Sequence, residues 1–104
     1  IDAWYNPNLL WLEAIALEWQ SHQHSDNARF YLIQSEHTLR RAIKLRPRDA
    51  RLWAHLAIVL HKQSKPNTVV DTAKTKAQEL GGYDTATQQL LAYFDRLPLH
   101  RIGS

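Results

Sequence analysis

The sequence predicts an all-α fold, and three observations carry that prediction. Apolar residues recur three and four positions apart through most of the chain, the spacing of one face of a helix. Glycine and proline are scarce, at 3 and 4 in 104 residues, while Ala, Leu, Gln, Lys and Arg abound, a balance that favours helices over sheets. The stretch AIKLRPRDARLWAHLA, residues 42–57, reads as helix, tight turn, helix. One apolar stripe ends at Leu45, Pro47 forbids its continuation, and a second begins near Ala50 with Trp53, Leu56, Ala57 and Leu60 on one face. At this length residues 1–104 form a single domain around a single core.

Asn6 and Pro7 open the first helix, Asn6 as its cap and Pro7 in the first turn, where a missing N–H removes no helical bond. That helix runs to about Ser21. Its expected inner stripe is Leu12, Ile15, Ala16 and Trp19, with Leu10 outside it, but Leu9, Leu10, Trp11 and Leu17 make the helix apolar on nearly every side. Further cover is therefore expected, from the second helix with Trp4 and Tyr5 folded back, from an upstream repeat, or from a second copy of the chain. The polar connector SHQHSDN offers Asp26 as the next cap. The second helix spans about Asn27 to Leu45, with Leu32, Ser35, Leu39 and Ala42 inward, and the third about Ala50 to Gln63, capped by Asp49. After the turn KQSKPN, Thr68 and Asp71 are spaced as a capping box for a fourth helix over about Val69 to Leu80, with Val70, Ala73, Ala77 and Leu80 inward. Gly81 stops it. A fifth helix starts at Asp84 or Thr85, with Thr85 and Gln88 as a second possible capping box. It presents Leu90, Leu91, Phe94 and Leu97, and Pro98 ends it; the tail LHRIGS is expected to fray.

Ala42, Pro47, Trp53, Leu56 and Ala57 fall at the spacing of a tetratricopeptide repeat, where the closing Ala and Pro of one repeat precede the aromatic, Leu and small residue of the next. The chain resembles the tetratricopeptide-repeat family, most closely from Ser35 to Ala73 and more loosely from Leu9 to Trp19 and from Ala77 to Ala92. It departs from the pattern twice. A first repeat built on Leu12, Ile15, Ala16 and Trp19 reaches its Pro about seven positions late, close to two helical turns, and Gly82 stands where the second repeat would carry Pro. The resemblance implies antiparallel helix pairs stacked in a short right-handed array of about five helices, the last of them a C-terminal cap. It also implies non-catalytic binding of a peptide or protein in a concave groove lined by the first helix of each pair. On this chain the groove positions become Glu13, Leu17 and Gln20 in the first helix, Arg51, Ala54, Ile58 and His61 in the third, and Gln89, Tyr93 and Arg96 in the fifth. Tyr93 and Arg96 are residue types that anchor partners, and Ile58 would be an apolar floor. Ala54 and Ile58 stand where members that clamp a C-terminal carboxylate carry clamp residues, which argues against that mode.

A second resemblance rests on the Leu-Gly-Gly-aromatic turn of residues 80–83. It is similar to that of soluble tetratricopeptide-like domains in bacterial envelope proteins of polysaccharide synthesis or export, and implies a periplasmic assembly module behind a membrane anchor. A start at Ile1 rather than Met, with Trp4 and Trp11 close by, is expected of a piece of a longer protein just past such an anchor.

Chemistry is sparse. Without cysteine, neither a disulfide nor a thiolate metal site can form. No run reaches the ~20 apolar residues of a membrane-spanning helix. Six histidines invite a metal, and Glu18 with His22 is a one-turn pair, but no third ligand is spaced to join them. His55 and His61 point apart, His22 and His24 lie around a loop, and His37 and His100 stand alone. Ser35 and His37, two apart on a helix, do not face each other as nucleophile and base, and three glycines write no phosphate loop. No catalytic residue, cofactor or metal is therefore expected.

The net charge of +3 is unevenly placed: Arg40, Arg41, Lys44, Arg46, Arg48 and Arg51 put six of thirteen basic residues into twelve positions. Their first role is to meet the negative end of a helix dipole; phosphates, an acidic partner or anionic headgroups are the alternatives. Nucleic-acid binding has less support, because Trp11, Trp19 and Trp53 fall on apolar faces instead of interleaving with the arginines. The other alternative to groove binding is self-association, a homodimer formed through the apolar first helix.

Overall fold

The structure, a computed structural model, describes residues 6–81 and 84–97. Among these residues it is all-helical. The α-helices are α1 (Pro7–Gln23), α2 (Ala28–Leu45), α3 (Ala50–Lys62), α4 (Asn67–Leu80) and α5 (Thr85–Asp95), with a 3₁₀ turn at Ser25–Asn27 between the first two. Helix α1 packs along α2, α3 packs along α4, α2 joins the two pairs, and α5 packs on α3. The Ser35 hydroxyl donates to the Ala14 carbonyl at 2.9 Å, both residues fully buried. These residues stand at similar distances on either side of the connecting turn, so α1 and α2 run antiparallel.

Local chemistry explains most helix ends. The Asn6 side chain accepts from the backbone N–H groups of Asn8 and Leu9, and Pro7 occupies the first helical position. Asp49 accepts from the Arg51 N–H, and Asp84 from both the N–H and the hydroxyl of Thr87. Three expected caps do not form. No side chain caps α2, so Asp26 has no such role; Pro66 precedes α4, which starts at Asn67 and leaves Thr68 inside the helix; and Asp84 does the work assigned to Thr85 and Gln88. Helix α3 ends in a Schellman turn. The Lys65 N–H bonds the Leu60 carbonyl, the Ser64 N–H bonds His61, and Ser64 adopts a left-handed conformation with φ of 62°. At the end of α4, a Cβ on Gly81 would stand 2.4 Å from the Ala50 Cβ, so the absence of a side chain lets the start of α5 approach the start of α3.

The core runs through the middle of the stack: Leu32, Leu39 and Ala42 from α2, Leu52, Leu56, Ala57, Val59 and Leu60 from α3, and Val70 and Ala73 from α4. Ala54, Ala77 and Leu91 form a smaller cluster under α5. The inward residues expected for α2 and α4 are there, Leu80 half-buried at the end. The expected stripe of α1 is not. Leu12, Ile15 and Trp19 are exposed, as is Ala16, while Leu10 at 2 % exposure, Ala14 and Ser21 face α2. With apolar residues all round, periodicity could not choose the inward face of α1, and the small Ala14 wins because it lets Ser35 reach the backbone.

The basic cluster is partly neutralised. Arg40 pairs with Glu36 at 2.8 Å, Arg51 pairs with Asp49 at 3.0 Å and lies over the Trp11 ring, and Lys44 sits in the last turn of α2. Gly82, Tyr83 and Pro98, on which the Gly-Gly-aromatic turn and the end of the fifth helix were read, lie outside the described residues. Among the described residues no helix is long and apolar enough to cross a membrane.

Candidate partner-binding face

Helices α1, α3 and α5 meet at a buried polar hub. Glu18, Trp11 and His22, seven and four positions apart, share one side of α1, and that side faces α3. The Glu18 carboxylate accepts from His55 Nε2 on one oxygen and from Lys62 Nζ, at 2.5 Å, on the other. Lys62 Nζ also donates to His22 Nε2 at 2.9 Å and to the Tyr93 hydroxyl at 2.8 Å. An ammonium has only donors, so His22 must present a lone pair at Nε2. One cation thus spends all three N–H groups on partners from two helices, and it also lies 5.2 Å from the Tyr93 ring centre. The His55 Nδ1 is buried without a hydrogen-bond partner among the described residues.

Burial raises the Glu18 carboxyl, but the hydrogen bonds and charges of His55 and Lys62 outweigh it and hold the pKa at about 2. Burial likewise lowers Lys62, and its bonds to Glu18 and Tyr93 overcome this and raise it above the ordinary value. These shifts decide what the hub can do. A carboxylate so acidic is a poor general base near neutrality, and an ammonium that holds its proton with all three donors engaged is not a nucleophile. The hub holds helices together. Among the described residues no group of three His, Cys, Asp or Glu side chains is placed to hold a metal ion.

Two clefts adjoin the hub. One, of about 360 Å³, is lined by Ser21, His22, Ala28, Leu32, His61, Lys62, Tyr93 and Leu97. The other, of about 440 Å³, is lined by Ile15, Glu18, Trp19, His22, Gln23 and Tyr93. They share His22 and Tyr93 and so flank the junction of α1 and α5 as a two-part trough, with His61 and Lys62 from the end of α3 lining the first part.

Of the ten positions expected in a groove, the structure brings Tyr93 and His61 to this trough; the His61 ring also packs on Phe94 at 5.4 Å. Ala54 and Ile58 are both 1 % exposed and cannot form a floor, because α5 packs on that side of α3 and covers Ala54 with Leu91. Arg51 is turned to Asp49 and Trp11. Glu13 and Gln20 are exposed and Leu17 is half-buried, but all three lie on the side of α1 away from Glu18 and line neither cleft; Gln89 and Arg96 are exposed and also line neither. From α1 the clefts are lined by Ile15, Glu18, Trp19, Ser21, His22 and Gln23, none of them an expected groove position, because the inward face of α1 differs from the expected stripe. The Glu18 and His22 spacing was the one available signal, and it marked a lysine-binding pair. No family model matches the chain, and neither a curated protein nor a solved structure matches it.

Proposed function

We propose that the chain is a non-catalytic, tetratricopeptide-like interaction module that binds a peptide or protein segment in the trough between α1 and α5. The observation that carries this reading is the trough itself, where the 64 %-exposed indole of Trp19, Ile15 and the Tyr93 ring converge on a rigid hub. Exposed aromatic side chains beside a preorganised concavity are the features that concentrate binding energy in polypeptide recognition. The order of packing, α1 with α2, α3 with α4, α2 between the pairs and α5 on α3, supports the stacked-pair arrangement that the spacing of Ala42, Pro47, Trp53, Leu56 and Ala57 implies. A setting in bacterial envelope assembly belongs to the same proposal and rests on sequence resemblance.

The test is selection of peptides from a random library against the purified chain, followed by affinity measurements on two variants. Trp19→Ala removes a trough side chain, and Phe30→Ala removes an equally exposed aromatic on α2 that lines neither cleft. Selected peptides are expected to bind Trp19→Ala about tenfold or more weakly and Phe30→Ala unchanged. Equal binding to both variants overturns the trough as the site.

A further inference from the structure

The Lys62 ammonium and the His22 imidazole make a contact that exists in only one protonation state. Lys62 Nζ and His22 Nε2 stand 2.9 Å apart, and the ammonium brings nothing but donors to the contact. A neutral imidazole meets it with a lone pair, whereas an imidazolium carries N–H on both ring nitrogens and has no acceptor to offer. Turning the ring over does not help. We propose that His22 is a proton-operated gate in the trough, seated on Lys62 when neutral and swung away from it when protonated, and that an acceptor on the bound segment takes its place. The gate itself stands apart from the trough reading, and the replacing acceptor rests on it.

Each position of the ring has its own support. Neutral His22 gives Lys62 a third partner beside the Glu18 carboxylate at 2.5 Å and the Tyr93 hydroxyl at 2.8 Å. Charged His22 lies in the last turn of α1, where the free carbonyls of the helix end favour a cation, and Glu18 sits one turn before it. The side chain is exposed, so the swing disturbs no core packing and protons exchange directly with solvent. The charges around it hold still meanwhile. An imidazole changes charge between about pH 5 and 8, while Glu18, held at about 2, stays ionised there and Lys62, raised above the ordinary lysine value, stays an ammonium. From α3 come also His55, buried against Glu18, and His61, buried with its ring on Phe94. Helix α5 contributes Tyr93, and α2 lines the clefts with the uncharged Ala28 and Leu32. His24, Asp26 and Arg29 are exposed and line neither cleft. Of the three imidazoles at the hub, His22 is the exposed one.

Its location gives the swing an effect. Both clefts are lined by His22 and Tyr93, so the ring lies where the cleft of about 360 Å³ adjoins the cleft of about 440 Å³. Its departure joins them and frees one N–H of Lys62. A backbone carbonyl of a peptide spanning both clefts fits that donor. Because the peptide and the neutral imidazole compete for one N–H, binding favours protonated His22, and by reciprocity acid favours binding. At pH 5.5 the Glu18 contribution to the fold is still complete, so the gate operates within the folded chain.

The first experiment is imidazole nitrogen NMR on the chain without peptide, with the His22 signals assigned through His22→Gln. Neutral His22 is expected to carry its proton on Nδ1 at pH 8, the reverse of the preference of free histidine. A proton on Nε2 overturns the gate. The second experiment measures the affinity of library-selected peptides, amidated at the C-terminus and free of His, Asp and Glu, at pH 7.5 and 5.5. Wild type is expected to bind them about fivefold more tightly at pH 5.5, and His22→Gln, whose amide oxygen keeps an acceptor on Lys62 at every pH, to bind equally at both. An affinity that is flat with pH in wild type, or that changes equally in His22→Gln, overturns the replacing acceptor, and a continued weakening by Trp19→Ala then leaves the trough standing. If Trp19→Ala has no effect, the trough reading falls with the replacing acceptor, and the position of the His22 proton still decides the gate.

Discussion

Helices α1 and α3 are similarly apolar in sequence and live in opposite surroundings. Ten of the thirteen residues of α3 are buried, against three of the seventeen of α1. The difference is one of neighbours. Helix α3 has α2, α4 and α5 around it, so its apolar residues find partners in every direction; α1 has α2 on one side and reaches α3 through the Glu18 hub. Apolar content therefore does not report burial, and two helices of like composition can serve one as core and the other as surface.

Four measurements break or sharpen that contrast. The largest effect belongs to α3: Leu56→Ala, at a 1 %-exposed position, is expected to cost about 3 kcal/mol in urea unfolding, whereas Leu12→Ala on the outer face of α1 should stay within about 0.5 kcal/mol. Equal costs would erase the distinction. The hub, the bond between the two helices, comes next. Because the folded pKa of Glu18, about 2, lies below its unfolded value of 4.5, the unfolded chain takes up the proton first. The hub's contribution is then complete above about pH 4.5 and is lost as pH falls from there toward 2, a change on the order of 3 kcal/mol that urea titrations at a series of acid pH values would read. Glu18→Gln should flatten that dependence.

Smaller effects follow at Gly81, where the end of α4 meets the start of α3, and at Ser64, at the end of α3. Gly81→Ala places a methyl group 2.4 Å from the Ala50 Cβ and 2.9 Å from Thr87 Cγ2, and the forced shift should cost about 2 kcal/mol. Ser64→Gly relieves the left-handed conformation at the end of α3 and should raise stability by about 0.5–1 kcal/mol, visible as a small increase in Tm. A loss of stability in Ser64→Gly would mean that the serine makes a contact worth more than its backbone strain.

The legible and illegible parts of this fold divide along the same line. Helices α2, α3 and α4 have one apolar face each or a clear break at either end, and Leu32, Leu39, Ala42, Val70, Ala73 and Ala77 could be placed inward from spacing alone. The caps at Asn6 and Asp49 were legible because they act over two or three residues, whereas the cap of α5 falls on Asp84 and not on the expected Thr85 and Gln88. In α1 the same rule had no purchase: a helix apolar on every side satisfies every register, and the choice fell to Ala14 meeting Ser35, twenty-one residues away. The hub was invisible for a related reason. Glu18, His55 and Lys62 are joined by bonds spanning 37 and 44 residues, and no local spacing announces which carboxylate a distant lysine will find. Tyr93, named only through the repeat resemblance, lines both clefts.

The Lys62 hub also sets the order in which the molecule comes apart. Helix α5 buries only Thr87 and Leu91 and packs chiefly on α3, so its anchorage is slight compared with that of the helices before it. The hydrogen bond from Lys62 to Tyr93 fastens its far half to the rest of the stack. In native-state amide exchange α5 should open as a cooperative unit of low free energy, while the amides of α3 exchange only on global unfolding. The Lys74–Asp95 ion pair at 3.0 Å and the packing of His61 on Phe94 hold the same half of the helix, so Tyr93 is one of several latches on α5 as well as a wall of the trough.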